Sequence, residues 1–446
     1  MTAIQSGTQA QACPTQPLPD EVSEHSIAQG EPPNGGYGWV CVACISLINA
    51  HTWGINGSYG VFLAHYIKAD IFPGTSSLIY ALIGGLTVSM CLVISPVGAL
   101  TTRRWGTRAT LLIGVAFQTV GLVAASFCHE IWQLVLSQGL CFGWGMGLMF
   151  VASFGIPAQW FTTKRSLASG FATCGSALGG LIYSLGANAM IENISLPWAF
   201  RILAIVSLVV NFGSSLFLRD RNTQTRNRPA VFKASLLKNI DFLLVLLWAI
   251  FSLTAYTIVL FSIPDYGESE GLSADQGALL GALVNLGQVV GRPGVGFLSD
   301  RLGRLNVSAV MTFLSGLLCL VFWTFARQYA SIVGFSIVIG LFIGTFWASL
   351  APLVAEVLGL HETINGLNIC WMVLVSPITV CEIIGLVLRK SSGDEYLYVQ
   401  IFTGALYVAA SLCLWVLRGR VVRSRRYCTY TDKSASTMLV LGFAKV

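Results

Sequence analysis

Charge is what this chain has least of. Only 10% of its 446 residues are Asp, Glu, Lys or Arg, while 54% are hydrophobic; a soluble domain carries roughly 25% charged residues. That is too little polar surface to cover a water-soluble globule, so the bilayer must solvate most of the exterior. No Gly-Lys-Ser/Thr phosphate loop occurs, which argues against an ATP-driven pump. No cysteine or histidine spacing resembles a metal site, and His129 and His361 fall at loop positions without a nucleophile or acid beside them. Nothing calls for a cofactor, a metal or a nucleic-acid partner, so an enzyme is not expected. The twelve cysteines do not form a disulfide framework: ten lie in or beside apolar runs, where a free thiol acts as a small apolar group, and Cys13 and Cys428 lie in the tails. Residues 1–36 hold five Pro and no Lys or Arg. Lacking the basic start and short apolar core of a signal peptide, they read as a retained, disordered tail.

What the chain does have is apolar runs of membrane-spanning length. At ~1.5 Å rise per residue, about 20 residues cross a hydrocarbon core of about 30 Å. Twelve such runs lie near 38–63, 77–100, 109–127, 131–156, 166–190, 199–218, 241–263, 273–298, 307–326, 329–353, 364–388 and 397–417. The expected fold is therefore an all-α membrane protein of twelve transmembrane helices. Residues 219–240 separate two six-helix halves, 37–218 and 241–417, and a basic tail occupies 418–446.

The charges that remain are sorted by side. Arg103, Arg104, Arg108, Lys164, Arg165, the basic 219–240 linker and Arg418 to Arg426 fall on one side, with few cations opposite. The other side gathers Asp265, Glu268, Glu270, Asp275, Asp394 and Glu395. The positive-inside rule then places both termini in the cytoplasm, with the plasma membrane as the expected location. The tail arginines read as an anchor for the last helix, with a lipid-binding patch as the sharper alternative. Asn193-Ile194-Ser195 is a glycosylation sequon in a short outer loop, so Asn193 is a candidate acceptor.

The 8–9 loop reads Gly296, three residues, then Asp300-Arg301-Leu302-Gly303-Arg304. This closely resembles the loop motif of the major facilitator superfamily, and the 2–3 loop from Gly98 to Arg108 is a degraded copy without the Asp. Glycine allows close helix approach, and the charges can form a latch that breaks as the halves rock. Gly296, Asp300, Arg301, Gly303 and Arg304 are thus the candidate gating motif. Glycine pairs at 139/143, 175/179, 277/281, 287/291 and 340/344 read as tight helix crossings. Pro293 and Pro377 are candidate interruptions of spans eight and eleven, as hinges or as static kinks.

Two further stretches narrow the resemblance. Asn34-Gly35-Gly36-Tyr37-Gly38-Trp39 opens span one, and Trp160-Phe161 with Lys164-Arg165, Leu167-Ala168, Gly170, Ala172, Gly175 and Gly179 leads into span five. Together they resemble the monocarboxylate porter family of that superfamily, over about residues 34–417. His51-Thr52-Trp53-Gly54-Ile55-Asn56 looks most like fungal members. Asn34 stands where the family usually has an acid, and Tyr37 where it usually has Trp.

Charges deep in a span are costly and point to function first. Asn285, Gln288 and Arg292 follow i, i+3, i+7 spacing and share one face of span eight. That stripe is expected to meet an anionic or carbonyl-bearing substrate, the alternative being a structural arginine held by backbone carbonyls. Glu382 in span eleven is either a proton-coupling carboxyl or a group snorkelling outward; counted by helical rise it lies about 10–20 Å from Arg292 in depth. Asn49, Trp53 and Asn56 share a face of span one, while His51 projects oppositely and reads as a packed histidine. Trp53, Trp144, Tyr256, Trp347 and Trp371 are aromatic enough to line a cavity for flat organic compounds, although helix packing is the simpler role for each. Many monocarboxylate carriers of the family have a lysine in span one and an aspartate four residues before the span-eight arginine. Here those positions are Gly57 and Gln288, so the resemblance carries the fold without lactate-type proton symport.

The expected function is a secondary active transporter moving a small organic solute, with or without a proton, by alternating access. Export of a fungal secondary metabolite and uptake of a carboxylic or vitamin-like compound are its two forms. A non-transporting nutrient sensor is the competing class; the short tails without a globular domain weigh against it.

Overall fold

The computed structural model describes residues 34–221, 233–359, 362–389 and 396–431, and every regular element in them is helical. The first six spans are α1 (Tyr37–Tyr66), α2 (Ser77–Val93 continued by Ser95–Trp105), α3 (Thr107–Ala125), α4 (Ile131–Trp160), α5 (Arg165–Asn193) and α6 (Leu196–Phe217). The second six are α7 (Ile240–Ser269), α8 (Ala274–Leu302), α9 (Arg304–Trp323), α10 (Tyr329–Leu358), α11 (Thr363–Leu388) and α12 (Leu397–Thr431). Ten are long and apolar enough to cross a bilayer, and α2, bent by 42°, makes an eleventh. The twelfth is α8: its 29 residues are long enough, but Asn285, Gln288 and Arg292 dilute its hydropathy.

Within each half the helices pack on one another, α5 against α1 and α3 against α4 in the first, α12 against α7 and α9 in the second. The halves meet where α5 lies along α8 and α2 along α11. All five glycine pairs sit at crossings. A Cβ on Gly179 would stand 2.7 Å from the Ala50 Cα of α1, and one on Gly287 would stand 2.9 Å from Gly340 of α10. These distances leave no room for any side chain, which is why small residues recur there.

Some helix breaks stand beside proline, as in α2 at Ile94 before Pro96 and in α4 at Gly155 before Pro157, and others do not. α1 is interrupted at Thr52 and Ser58, whose hydroxyls donate to the carbonyls of Ile48 and Ile55 at 2.7 Å each. A π-helical turn at Val135–Cys141 loosens α4, and Thr87 Oγ1 donates to the Gln138 carbonyl at 3.1 Å. In lipid a loosened carbonyl must find a donor inside the protein, and these hydroxyls supply it. By contrast Pro293 and Pro377 sit inside unbroken helices, as do Pro264 and Pro352. Spans eight and eleven are thus not divided at these prolines.

Two segment boundaries also differ from expectation. The helix of α12 continues past 417 to Thr431, with Arg418 donating to Asn306 at 2.5 Å and Arg420 to Asp241 at 2.6 Å. The anchor reading of those arginines matches this geometry. At the other terminus Asn34 to Gly36 are ordered against the α4–α5 loop, whereas residues 1–33 lie outside the described residues, as do 222–232 of the linker and 432–446.

A buried amide relay ties α1, α3 and α6. Gln118 donates to the His51 carbonyl at 2.5 Å and accepts from Asn211 at 3.0 Å. Gln118→Leu removes both bonds and leaves the His51 carbonyl without that donor, at a cost of about 1–2 kcal/mol. The expected result is a melting temperature in detergent lowered by a few degrees with transport retained.

Candidate functional site

The polar stripe of α8 turns out to be a connected network. Gln288 is fully buried and sits between Asn285 (3.4 Å), the Tyr256 hydroxyl of α7 (3.2 Å) and one arm of Arg292 (2.6 Å). The other arm of Arg292 crosses to α5 in the opposite half, donating to the Thr173 carbonyl and, at 2.6 Å, to the Ser176 hydroxyl. Among the described residues no carboxylate lies within 4.0 Å of this guanidinium, and its Nε has no partner. A buried cation held only by neutral groups retains an uncompensated charge, which favours any anionic or strongly accepting group that can reach it. The close approach that makes the bridge possible is glycine's doing. A Cβ on Gly344 of α10 would stand 2.7 Å from the Arg292 side chain, and one on Gly170 of α5 would stand 2.5 Å from the Arg292 carbonyl.

Beside the arginine lies an aromatic box built from both halves. Trp347 of α10 is 5.2 Å from Trp53 of α1, 6.1 Å from Tyr256 and stacked at 6.4 Å on Trp371 of α11. Phe150 and Phe154 of α4 close the other side, 5.0 and 5.2 Å from Trp371. The indole N–H groups of Trp53 and Trp347 are buried without acceptors, as is the Asn368 amide nitrogen one turn from Trp371. Flat apolar walls with spare donors suit a flat organic solute carrying acceptors.

The remaining candidates are placed as follows. Asn49 is buried and donates to the Ala172 carbonyl at 2.8 Å, so it joins α1 to α5. Asn56 borders a small interior cavity of the first half with Tyr59, Thr87 and Gln138, apart from the box. His51 bonds the Leu47 carbonyl of its own helix at 2.8 Å and packs on Tyr183, as a packed histidine does. Trp144 packs on Phe117 of α3 rather than in the box. Gly57 faces Gly180 of α5, whose own Cβ position is 3.4 Å from the Asn285 amide. Asn193 ends α5, its amide nitrogen donating to Ala189 at 2.8 Å, with two residues before α6. The side chain of Glu382 lies outside the described residues.

At the basic end of the bundle the 8–9 loop grips the start of α5. Asp300 accepts from the backbone N–H groups of Ser166 (3.1 Å) and Leu167 (2.9 Å), while Arg304 donates to the Thr162 carbonyl (3.0 Å) and the Ser166 hydroxyl (3.2 Å). A carboxylate on the first amides of a helix is favoured by both hydrogen bonding and the helix dipole. Gly303 turns the chain between α8 and α9 at φ 98°, a conformation that excludes most side chains. Arg301 stays out of the grip, lying over the Phe297 ring at 4.1 Å. Two further charged residues lie at this end: Arg165, read from the sequence only as a topology charge and part of the family stretch, and Glu356, which that reading passed over. Arg165, 7% exposed, donates to the Phe161 carbonyl at 3.2 Å within the fields of Asp300 and Glu356, and one Glu356 oxygen is buried without a partner. Glu356 lies near the end of a long apolar span, where its position mimics an interfacial charge; only the packing brings it within the field of Arg165 at the start of α5.

Two half-bundles meeting along α5 and α8, with a charged grip at one end and a buried arginine bridging them, are the anatomy of a rocking carrier. A family model described as Major Facilitator Superfamily matches residues 42–379. The chain belongs to the major facilitator superfamily. Among curated relatives, "Probable transporter MCH2" of Saccharomyces cerevisiae is 31% identical over 410 residues, covering 90% of this chain and 87% of that protein. The "Fujikurins efflux protein" of Gibberella fujikuroi is 28% identical over 406 residues, covering 90% and 87%. Among solved structures, the fucose:proton symporter FucP of E. coli superposes with a TM-score of 0.67 at 13% identity, over 84% of this chain and 98% of that one. This facilitator is thus an integral membrane protein of twelve helices, a secondary transporter of a small solute rather than an enzyme.

Proposed function

We propose that this facilitator is a fungal-type metabolite porter of the monocarboxylate porter family, and that its solute is a flat organic molecule carrying a carboxylate or carbonyl. The observation behind the reading is Arg292: a cation held by neutral partners only, bridging the two halves beside the aromatic box. The solute's acceptor would displace the Thr173 and Ser176 contacts, so that binding and separation of the halves become one event. Gln288 in place of a carboxylate leaves the arginine's charge for the solute. In this reading Trp53, Tyr256, Trp347 and Trp371 hold the ring system, and the protein sits in the plasma membrane with both termini cytoplasmic.

Export is the direction favoured, because a relative of similar length is named an efflux protein. An unbiased metabolite profile of cells with and without the protein tests it: loss of the exporter makes its solute accumulate inside. An unchanged profile, together with reconstituted protein that moves nothing across a broad panel of organic acids, would sink the proposal. Trp371→Ala is expected to raise the half-saturating solute concentration about tenfold, the effect of losing one aromatic contact of about 1.4 kcal/mol.

Proton-coupled uptake is the second form, favoured by the likeness to a fold used by a proton symporter. Glu382 is its candidate carboxyl. Glu382→Gln should then remove the response of transport to an imposed pH gradient while leaving solute exchange intact.

A further inference from the structure

The opening tract of the chain touches the same loop that the 8–9 grip holds. Asn34 sits at φ 52°, a left-handed conformation that asparagine tolerates better than most residues. Its Oδ1 accepts from four donors: the backbone N–H of Thr162 (2.7 Å) and Thr163 (3.0 Å), and the hydroxyls of Thr162 (3.0 Å) and Thr163 (3.2 Å). The Asn34 N–H donates in turn to the Trp160 carbonyl at 3.1 Å. Behind it, Gly38 lies so close to Trp160 and Phe161 that a Cβ would meet both at 3.0 Å, and Trp39 stands edge-on to Phe161 at 4.9 Å. The tract therefore fixes residues 160–163 against the first half.

The opposite side of the same short segment faces the second half. Thr162 offers its N–H to Asn34 and its carbonyl to Arg304, and four residues later Ser166 and Leu167 offer theirs to Asp300. The two N–H groups that Asn34 holds, and the Thr162 carbonyl between them, set how the α4–α5 loop presents itself to the grip. An ordinary loop cap would satisfy the same donors without bearing on the second half; here the shared residue Thr162 joins the two sets of bonds.

We propose that Asn34 is a positioning residue for the closed state of the basic end: by holding Thr162 and Thr163 it presents the Thr162 carbonyl and the start of α5 to Arg304 and Asp300. Four donors on one amide oxygen exceed its two lone pairs, and a carboxylate would accept them better. Asn34 is thus a weakened clamp, which eases the opening that each transport cycle requires.

Amide hydrogen exchange of the full chain in lipid nanodiscs tests this without knowledge of the solute. In Asn34→Ala, exchange at Thr162 and Thr163 rises about tenfold for loss of their acceptor. The proposal requires that Ser166 and Leu167, which do not touch Asn34, also exchange several-fold faster. Asn34→Asp should slow exchange at all four amides relative to the natural chain. Faster exchange confined to Thr162 and Thr163, or Asn34→Asp leaving Ser166 and Leu167 unchanged, overturns the proposal. Should Asn34→Ala fail to fold, the Asn34→Asp comparison decides alone. Asp300→Asn supplies the reciprocal arm, since coupled sites must influence each other, and it is expected to speed exchange at Thr162 and Thr163.

Discussion

Arg292→Ala is expected to reduce transport about a hundredfold, the largest effect of any single substitution proposed for this protein. The side chain makes two contacts with α5 and two with its own half, to Gln288 and Tyr256. Truncation leaves the Thr173 carbonyl, the Ser176 hydroxyl and the Gln288 oxygen without their charged donor and removes the cation offered to the solute. Arg292→Lys keeps the charge but reaches with one point instead of a fork, so a loss of about tenfold is expected. Gln288→Asp would give the arginine an internal partner and should weaken binding of an anionic solute, because the charge it seeks is already met. Uptake or efflux in proteoliposomes, normalised to monodisperse protein, separates these outcomes. Near-native activity in both Arg292→Ala and Glu382→Gln would remove arginine and carboxyl alike from the mechanism.

Gly296→Ala should shift the molecule towards a state open at the basic end. A Cβ there would press on the Ser166 carbonyl group and stand 2.9 Å from the Leu167 Cα, a backbone contact that no side-chain rotation relieves. The strain exists only while α5 and α8 are closed together, and overpacking of this kind costs about 1–3 kcal/mol. That corresponds to roughly 5- to 150-fold in the ratio of closed to open molecules. Gly170→Ala, pressing on the Arg292 carbonyl from α5, should act in the same direction. Faster amide exchange from Ser166 to Thr173, with the rest of α5 unchanged, is the expected signature. A lowered melting temperature with uniform exchange would mean simple packing damage instead.

Much of this architecture was legible in the residues because bilayer physics leaves few choices. Spans had to be about 20 apolar residues, cations had to gather on one side, and glycine pairs had to mark crossings. The Asn285, Gln288, Arg292 stripe followed from helical periodicity alone. Asn49 and Trp144 show where that reasoning stops: Asn49 borders a small cavity while bonding an α5 carbonyl, and Trp144 takes the packing role on α3 rather than a place beside the other tryptophans. A helical wheel gives the face of a residue, not the neighbour that face meets. Pro293 and Pro377 show the same limit for the backbone, since neighbouring helices can support a proline-bearing helix that its sequence would break.

The sequence by itself determined the twelve spans, the two halves and the cation in the inner third of α8, each a consequence of burying or exposing single residues in lipid. Only the tertiary structure decided what that cation touches, which aromatics from five helices form one box, and that Asn34 and the 8–9 loop hold the same four-residue turn. Those facts depend on contacts between residues more than a hundred positions apart, such as Arg292 with Ser176 and Asn34 with Thr162. Local periodicity carries no record of such pairings; they are fixed by how whole helices pack.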